Sequence, residues 1–312
     1  MKQKLPIILL ASFLIGIFAG LIFVIIVMRF KTNPDSENNN STSLINVTPA
    51  PTIAIPVIEQ VVLDNYGCQP SNPLSDQCTN LYLDKSQIDK TQFDKCLQTQ
   101  DFTSQIAAAE KSYQDNKVGF SPSVFIAKKN GDKLEGFEVP ESTQAKELKT
   151  ILNYLTQNNI TKTHDLWIAS QLKGIENEIN KDIISRQSEF SNEATQQQQL
   201  TTQMAEIEAK FQQGYPIKPI TITGGITQGN SNTNYIIVFI DFSCSYCKLL
   251  FQNIVAMLQT TYLDNNQVTL VTFSIFNEYN KTEMVQLDKK LRCADEQNQL
   301  FNFQNYYFSI LE

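Results

Sequence analysis

The stretch Tyr235–Lys248, YIIVFIDFSCSYCK, decides the fold of this chain. Its first part, Tyr235–Phe242, is a largely apolar run of strand length, which is typical of a strand buried on both faces of a sheet. After it the apolar residues recur at helical spacing. The pattern predicts a buried strand that leads into a helix, with Cys244 and Cys247 at the junction.

Two cysteines at the start of a helix suit thiol chemistry. The free N–H groups of a first helical turn stabilise an anion, so a thiol placed there ionises more readily. The two intervening residues place the second sulfur one turn further along the helix. We expect Cys244 to attack a substrate disulfide, or to donate its own bridge, and Cys247 to resolve the mixed disulfide. The motif therefore predicts a protein-disulfide oxidoreductase that needs no metal or organic cofactor.

Three other interpretations of Cys244 and Cys247 compete with this one. A structural zinc site needs four ligands, but the sequence has no second CxxC motif, and His164 is its only histidine. A purely structural disulfide between Cys244 and Cys247 is a second alternative, although such bridges seldom lie at a strand-to-helix junction. A non-catalytic binding or assembly module on a membrane anchor is the alternative function.

Composition and charge limit the function classes. The chain has 312 residues, of which 42% are hydrophobic and 18% charged, as expected for a folded protein rather than a disordered one. Its net charge of −7 argues against nucleic-acid binding, which normally uses a basic face. The length allows two domains or one domain with extensions.

The N-terminus predicts a membrane anchor. Residues Leu5–Met28 are apolar and uncharged, long enough to cross about 30 Å of hydrocarbon as a helix. No small-x-small cleavage site ends the run, so we assign 1–30 to a cytoplasmic tail and an uncleaved transmembrane anchor. The chain would then be a single-pass protein of the cell membrane, with its soluble part outside the cytoplasm. Small residues at four-residue spacing, Ser12, Gly16 and Gly20, form a face by which two copies could pair as a homodimer.

The rest of the chain divides into segments of different character. An extended tether rich in Asn, Ser, Thr and Pro spans 31–56. Two globular segments occupy 57–155 and 217–312. Between them, 156–216 is a long helical connector, for which a helical hairpin and a single rod are equally acceptable.

Each globular segment has a recognisable pattern of elements. In the first, Asn130-Gly131 is a strong hairpin signal between two strand-like runs. The remaining expected elements are helical spacing at Thr91–Tyr113, strands at Val118–Ala127 and Leu134–Val139, a closing helix at Ser142–Leu155, a buried strand at Val268–Phe276 and a helix at Lys281–Leu311.

Several stretches resemble the DsbA-type thiol–disulfide oxidoreductases. VFIDFSCSYCK is similar to the thioredoxin-fold core of that family, and LRCADEQNQLFNFQNYYF resembles its helical insert. FDKCLQTQDF followed by VGFSPSVFIAKKNGDKLEGF is similar to the later half of the family, with its proline-preceded strand and hairpin. The resemblance covers most of 81–155 and 218–312, and implies an α/β thioredoxin-like fold with a helical insert.

The resemblance also implies roles for particular residues. It implies that Pro122 is cis and that Ser121-Pro122 faces Cys244, although a trans bond is the commoner state of an X-Pro peptide. With Ser245 and Tyr246 these residues would form the substrate groove. Substrates would be proteins with cysteines, and an unidentified redox partner would recharge the CxxC pair. Ser121 and Ser245 depart from the family's usual residues, which bears on the redox potential rather than on the reaction class.

The order of the two halves is reversed relative to the family. The proline half comes first and the CxxC half last, so neither segment alone is a full thioredoxin fold. Each would leave an open sheet edge, which is costly. A circular permutation, in which the halves complete one another, is preferred over a tandem protein with a truncated second domain.

The other four cysteines predict structural bridges in an oxidising compartment. The family resemblance implies a bridge between Cys96 and Cys293. Cys68 and Cys78 enclose a loop whose Pro and Asn residues suit a turn, which favours a local bridge. Alternatively, some of these thiols stay free and buried.

Overall fold

The computed structural model of the 312-residue chain places most of the sequence after residue 59. The residues that it describes all belong to one compact unit, 50–312. They are 60–140, 143, 145–185, 193–251, 256–275 and 281–311. The predicted anchor and its pairing face, within 1–30, and the tether at 31–56 lie outside the described residues. No helix in the described part of the chain is long and apolar enough to cross a bilayer.

Six strands of the described residues form one sheet. They are β1 (Ser123–Asn130), β2 (Lys133–Val139), β3 (Lys218–Pro219), β4 (Ile226–Gln228), β5 (Asn234–Ile240) and β6 (Thr269–Ser274). Their order is β3-β2-β1-β5-β6-β4. Only β5 and β6 are parallel neighbours, and the other neighbouring pairs are antiparallel. Strands from both predicted globular segments therefore share a single sheet.

Helices cover both faces of this sheet. They are α1 (Gln60–Tyr66), α2 (Asp76–Lys85), α3 (Lys90–Thr99), α4 (Thr103–Asp115), α5 (Ala145–Gln157), α6 (Ile160–Ser185), α7 (Glu193–Gly214), α8 (Ser245–Leu250), α9 (Ala256–Leu258), which continues into a π-turn at Gln259–Leu263, α10 (Lys281–Asp295) and α11 (Leu300–Ile310). Two stretches predicted as continuous helical spacing are interrupted. The first is divided into α3 and α4, where Asp101 accepts a hydrogen bond from the Thr103 N–H at 2.9 Å. The second is divided into α10 and α11, where Asn298 has a φ of 57°.

The hairpin of β1 and β2 sets the register of the sheet. Asn130 pairs with Lys133, so the turn consists of Gly131 and Asp132, and Gly131 takes a φ of 61° that glycine adopts without steric cost. On its other side β1 pairs with β5, with Ser123 opposite Phe239. The strand that follows the proline therefore lies beside the strand that leads into the cysteines.

The sheet separates two apolar cores. Residues 236–240 of β5 are at most 1% exposed, so this strand is buried on both faces as its composition predicts. One face carries the larger core, which includes residues of α2, α3, α5, α8, α10 and α11 together with Cys247. The opposite face carries a smaller core, to which Ala109 of α4 contributes. The described residues therefore form three layers around the strand-to-helix junction.

The helical connector consists of two helices, α6 and α7, that pack against each other. Trp167 of α6 stacks on Phe137 of β2 at 5.1 Å between ring centroids and meets Phe211 of α7 at 6.4 Å. His164 donates a hydrogen bond from Nε2 to the Tyr215 carbonyl at 2.8 Å. Since β3 pairs with β2, the chain returns from the connector to the strand position beside β2.

Candidate active site

The junction between β5 and α8 presents the CxxC motif. Cys244 is the N-cap residue of α8, and its own N–H donates to the Asp241 carbonyl at 3.0 Å. The Asp241 carboxylate accepts from the backbone N–H and the hydroxyl of Ser243 at 2.9 and 2.6 Å. These bonds fix a tight turn between strand and helix. As a result Cys244 begins a helical turn whose N–H groups favour negative charge.

The two cysteines of the motif differ in exposure. Both are free thiols; Cys244 is half-buried, whereas Cys247 is 0% exposed. Burial raises the pKa of the Cys247 thiol to about 12, and the neighbouring Cys244 adds to the rise. Hydrogen bonds from Ser121 and the Asp241 backbone oppose it. Cys244 is therefore the more accessible sulfur of the pair.

The Ser121-Pro122 pair lies directly against both sulfurs. Its peptide bond is cis. The Ser121 hydroxyl lies 3.1 Å from Cys247 Sγ, and the Ser121 carbonyl oxygen lies 4.0 Å from Cys244 Sγ. The Asp241 N–H donates to the same hydroxyl at 2.7 Å. The pairing of β1 with β5 explains this contact, because continuing its register by two residues sets Ser121 opposite Asp241.

Exposed apolar side chains lie close in sequence to the cysteines and to the Ser-Pro pair. The described residues expose four large apolar side chains, and three of them lie in the segments that carry the cysteines and the proline. We call these three the apolar rim: Phe120 (48% exposed), Tyr246 (69%) and Leu249 (52%). Sequence reasoning selected Tyr246, and it placed Ser245 in the same motif, where the structure has it as the first residue of α8. Phe120 and Leu249 were not predicted from the sequence. The signal for Phe120 is an apolar residue immediately before the Ser-Pro pair, and the signal for Leu249 is an apolar residue shortly after the second cysteine.

Two disulfides lie away from the motif. Cys96 of α3 is bonded to Cys293 of α10, across 197 residues of sequence. Cys68 is bonded to Cys78 at the start of α2, across 10 residues. The longer bridge joins the two globular segments covalently. Both pairs match those expected from the sequence, and among the described residues they leave Cys244 and Cys247 as the free cysteines.

No metal-binding arrangement accompanies the motif in the described residues. They contain no group of three or more His, Cys, Asp or Glu side chains placed to bind a metal ion. The single histidine, His164, packs on Phe137 at 4.8 Å between ring centroids, beneath the helical connector. Within this part of the chain, a zinc knuckle would have no further ligand to add to Cys244 and Cys247.

Comparison with known families supports the fold. The model of the thioredoxin family matches residues 221–310, which include the CxxC motif, β5, β6 and α10. No curated protein and no solved structure matches the chain. The chain therefore contains a thioredoxin-like domain, which is compatible with thiol–disulfide exchange or with a binding role. The segment that carries Ser121 and Pro122 lies outside the matched residues.

Proposed function

We propose that the protein is a membrane-anchored thiol–disulfide oxidoreductase of the DsbA type, which forms or exchanges disulfides in secreted or envelope proteins. One observation carries the proposal: Ser121-Pro122, from a distant part of the chain, contacts both sulfurs of the CxxC motif at the start of α8. A bridge with only a structural role needs no such apposition, and neither does a helix cap.

The chemistry is a pair of thiol–disulfide exchanges. In the oxidising direction, a substrate thiolate attacks Cys244 Sγ, the Cys244–Cys247 bond breaks, and its electron pair stays on Cys247. A second substrate thiolate then attacks the substrate sulfur of the mixed disulfide, and Cys244 leaves as a thiolate. Two electrons pass from the substrate dithiol to the CxxC pair, the substrate thiols release their two protons to solvent as they ionise, and the buried Cys247 thiolate takes up a proton from solvent. The same steps in reverse reduce a substrate disulfide.

Substrate proteins would bind across the motif. We propose that Ser121, Pro122, Ser245 and Tyr246 line a groove for an extended substrate segment. The Ser121 carbonyl oxygen lies 4.0 Å from Cys244 Sγ, and the apolar rim offers contact area for apolar side chains of a substrate. Exposed apolar patches of this kind mark interaction sites on soluble domains.

The proposed domain is a circularly permuted thioredoxin-like fold. The pairing of β1 with β5 and the Cys96–Cys293 bridge support this interpretation, because both join the proline half to the CxxC half within one chain. A tandem protein with a truncated second domain would leave each half to find its missing strands elsewhere. The helical connector would then be the linker that permutation requires.

The proposed location is the outer side of the cell membrane. Residues 5–28 would anchor the chain, and the small-residue face within them would allow a homodimer. The two structural disulfides suit an oxidising compartment. A separate redox protein would restore the CxxC pair after each turnover.

The proposal is tested by disulfide exchange between the full-length chain and a fluorescent model peptide that carries a cysteine pair. The natural chain should exchange with the peptide, and Cys244→Ser should abolish exchange. A matched control replaces Cys68 and Cys78 by serine, which removes two cysteines distant from the motif and should leave exchange intact. A non-catalytic binding module predicts another result: the natural chain and Cys244→Ser bind the peptide equally, and neither exchanges with it.

A further inference from the structure

The proposed reaction requires Cys247 to carry a negative charge. In either direction this sulfur must exist as a thiolate, as leaving group when the bridge opens or as nucleophile when it forms. Yet Cys247 is fully buried, and burial raises its pKa to about 12. At neutral pH the neutral thiol is therefore strongly favoured over the thiolate. Any group that stabilises negative charge on this sulfur therefore affects the rate directly.

The Ser121 hydroxyl is oriented to do so. Its oxygen accepts the Asp241 N–H at 2.7 Å, and this bond occupies a lone pair of the oxygen. The hydroxyl hydrogen remains available for Cys247 Sγ, which lies 3.1 Å away. A thiolate can only accept at this position, so the hydroxyl must be the donor whenever Cys247 is ionised. The bond from the Asp241 N–H holds the hydroxyl beside Cys247 Sγ.

We propose that Ser121 is a catalytic hydrogen-bond donor, which stabilises the Cys247 thiolate during thiol–disulfide exchange. When the Cys244–Cys247 bond breaks, the electron pair stays on Cys247 Sγ and the hydroxyl of Ser121 donates a hydrogen bond to it. Ser121 keeps its own proton, so it contributes stabilisation and no net proton. This role rests on the proposed function and adds a specific residue to it, beyond the backbone contacts of a substrate groove.

The size of the effect follows from hydrogen-bond energetics. A hydrogen bond to a charged group corresponds to about one to two pKa units. Losing it would reduce the thiolate population about tenfold per unit. The more basic thiolate would attack about threefold faster per unit, because nucleophilicity rises with pKa. The net loss in the step that Cys247 performs is therefore about three- to tenfold.

The experiment separates that step from the step of Cys244. The full-length chain, with Cys244 and Cys247 reduced and the two structural bridges intact, is mixed with 5,5′-dithiobis(2-nitrobenzoate), and the coloured thiolate is followed by stopped flow. Attack by Cys244 releases one equivalent in a phase that depends on reagent concentration. Attack by Cys247 on the mixed disulfide releases the second equivalent in a phase that does not. The matched variants are Ser121→Thr, which keeps a hydroxyl, and Ser121→Val. Valine has nearly the same shape as threonine but carries no hydroxyl.

The expected result is that the second phase, measured relative to the first phase of the same protein, is slowed about three- to tenfold in Ser121→Val and is close to natural in Ser121→Thr. Ser121→Ala, which removes the hydroxyl without adding bulk, should behave like Ser121→Val. Equal rates of the second phase in Ser121→Val, Ser121→Ala and Ser121→Thr would overturn the role of Ser121. So would equal slowing of both phases, since that indicates a general loss of structure.

The two proposals fail in different ways. If the natural chain does not exchange with the cysteine-pair peptide, the oxidoreductase proposal fails, whatever Ser121 does. If it exchanges and the Ser121 variants resolve the mixed disulfide at the natural rate, the oxidoreductase proposal stands and the role of Ser121 is refuted.

Discussion

Cys96 of α3 is covalently joined to Cys293 of α10, although 197 residues separate them in the sequence. The bridge holds a helix of the proline half against a helix of the CxxC half, within the larger core. A cross-link over so long a loop constrains the unfolded chain strongly, which gives the first prediction.

Replacing Cys96 and Cys293 together by alanine should lower the free energy of unfolding by about 5 kcal/mol, because the bridge closes a long loop. The matched pair, Cys68 and Cys78, closes a loop of 10 residues, and its removal should cost about 3 kcal/mol. Urea unfolding of the three full-length proteins measures both losses. A larger loss from the short loop would contradict the chain-entropy account.

The second prediction concerns the division of labour between Cys244 and Cys247. Because Cys247 resolves the mixed disulfide in the proposed reaction, Cys247→Ser should accumulate a covalent complex between Cys244 and a substrate protein. Non-reducing electrophoresis detects this complex, and reductant should release it. Cys244→Ser should trap nothing, since Cys247 is buried. Trapping through Cys247 instead would reverse the assigned roles.

The apolar rim gives the third prediction. Tyr246→Ser or Leu249→Ser should raise the KM for an apolar cysteine-containing peptide roughly fivefold, as expected from losing about 1 kcal/mol of apolar contact. Reaction with a small disulfide reagent should not change. Ile184→Ser is the matched control, because Ile184 is 67% exposed on the helical connector. Equal effects of all three variants would show that the rim does not bind substrate.

The fourth prediction concerns Asp295, at the end of α10. Burial raises the pKa of its carboxyl from 3.8 to about 6; Glu296 adds to the rise and Arg292 opposes it. Between about pH 4 and 6 the folded chain thus holds a proton that the unfolded chain releases, so stability should fall as pH rises through this window. Asp295→Asn should remove that decline and stabilise the protein at pH 7 by about 1–2 kcal/mol.

The control for Asp295 is its exposed neighbour. Glu296→Gln should leave most of the decline in place, because Glu296 is only a minor cause of the shifted pKa. Unfolding by urea at several pH values compares the three proteins. An unchanged pH profile in Asp295→Asn would show that another group titrates.

Local signals in the sequence were sufficient to predict the strand before the CxxC motif and the hairpin beside it. The apolar run before Cys244 predicts a strand buried on both faces, and β5 is one. Asn130-Gly131 predicts the hairpin of β1 and β2, and the structure forms this hairpin with its two turn residues at Gly131 and Asp132. These signals work because strand burial and turn chemistry depend on residues close together in the chain.

Local sequence patterns could not predict the features that depend on residues far apart in the chain. The short strands β3 and β4 have only two and three residues, so they exist through pairing with β2 and β6. The contact of Ser121 with Cys247 follows from the register of β1 on β5, which no periodicity encodes. The choice between a helical rod and a hairpin was likewise open, since the heptad pattern suits both. Packing decides it, as α6 lies against α7.

The reduction potential of the Cys244–Cys247 pair tests the central claim most directly. The full-length chain would be equilibrated in redox buffers of graded potential, and the free thiols of this pair counted by alkylation and mass spectrometry. An exchange-active pair should have a potential above about −300 mV, within reach of cellular redox partners. A potential below that value, typical of a structural bridge, would contradict the oxidoreductase account.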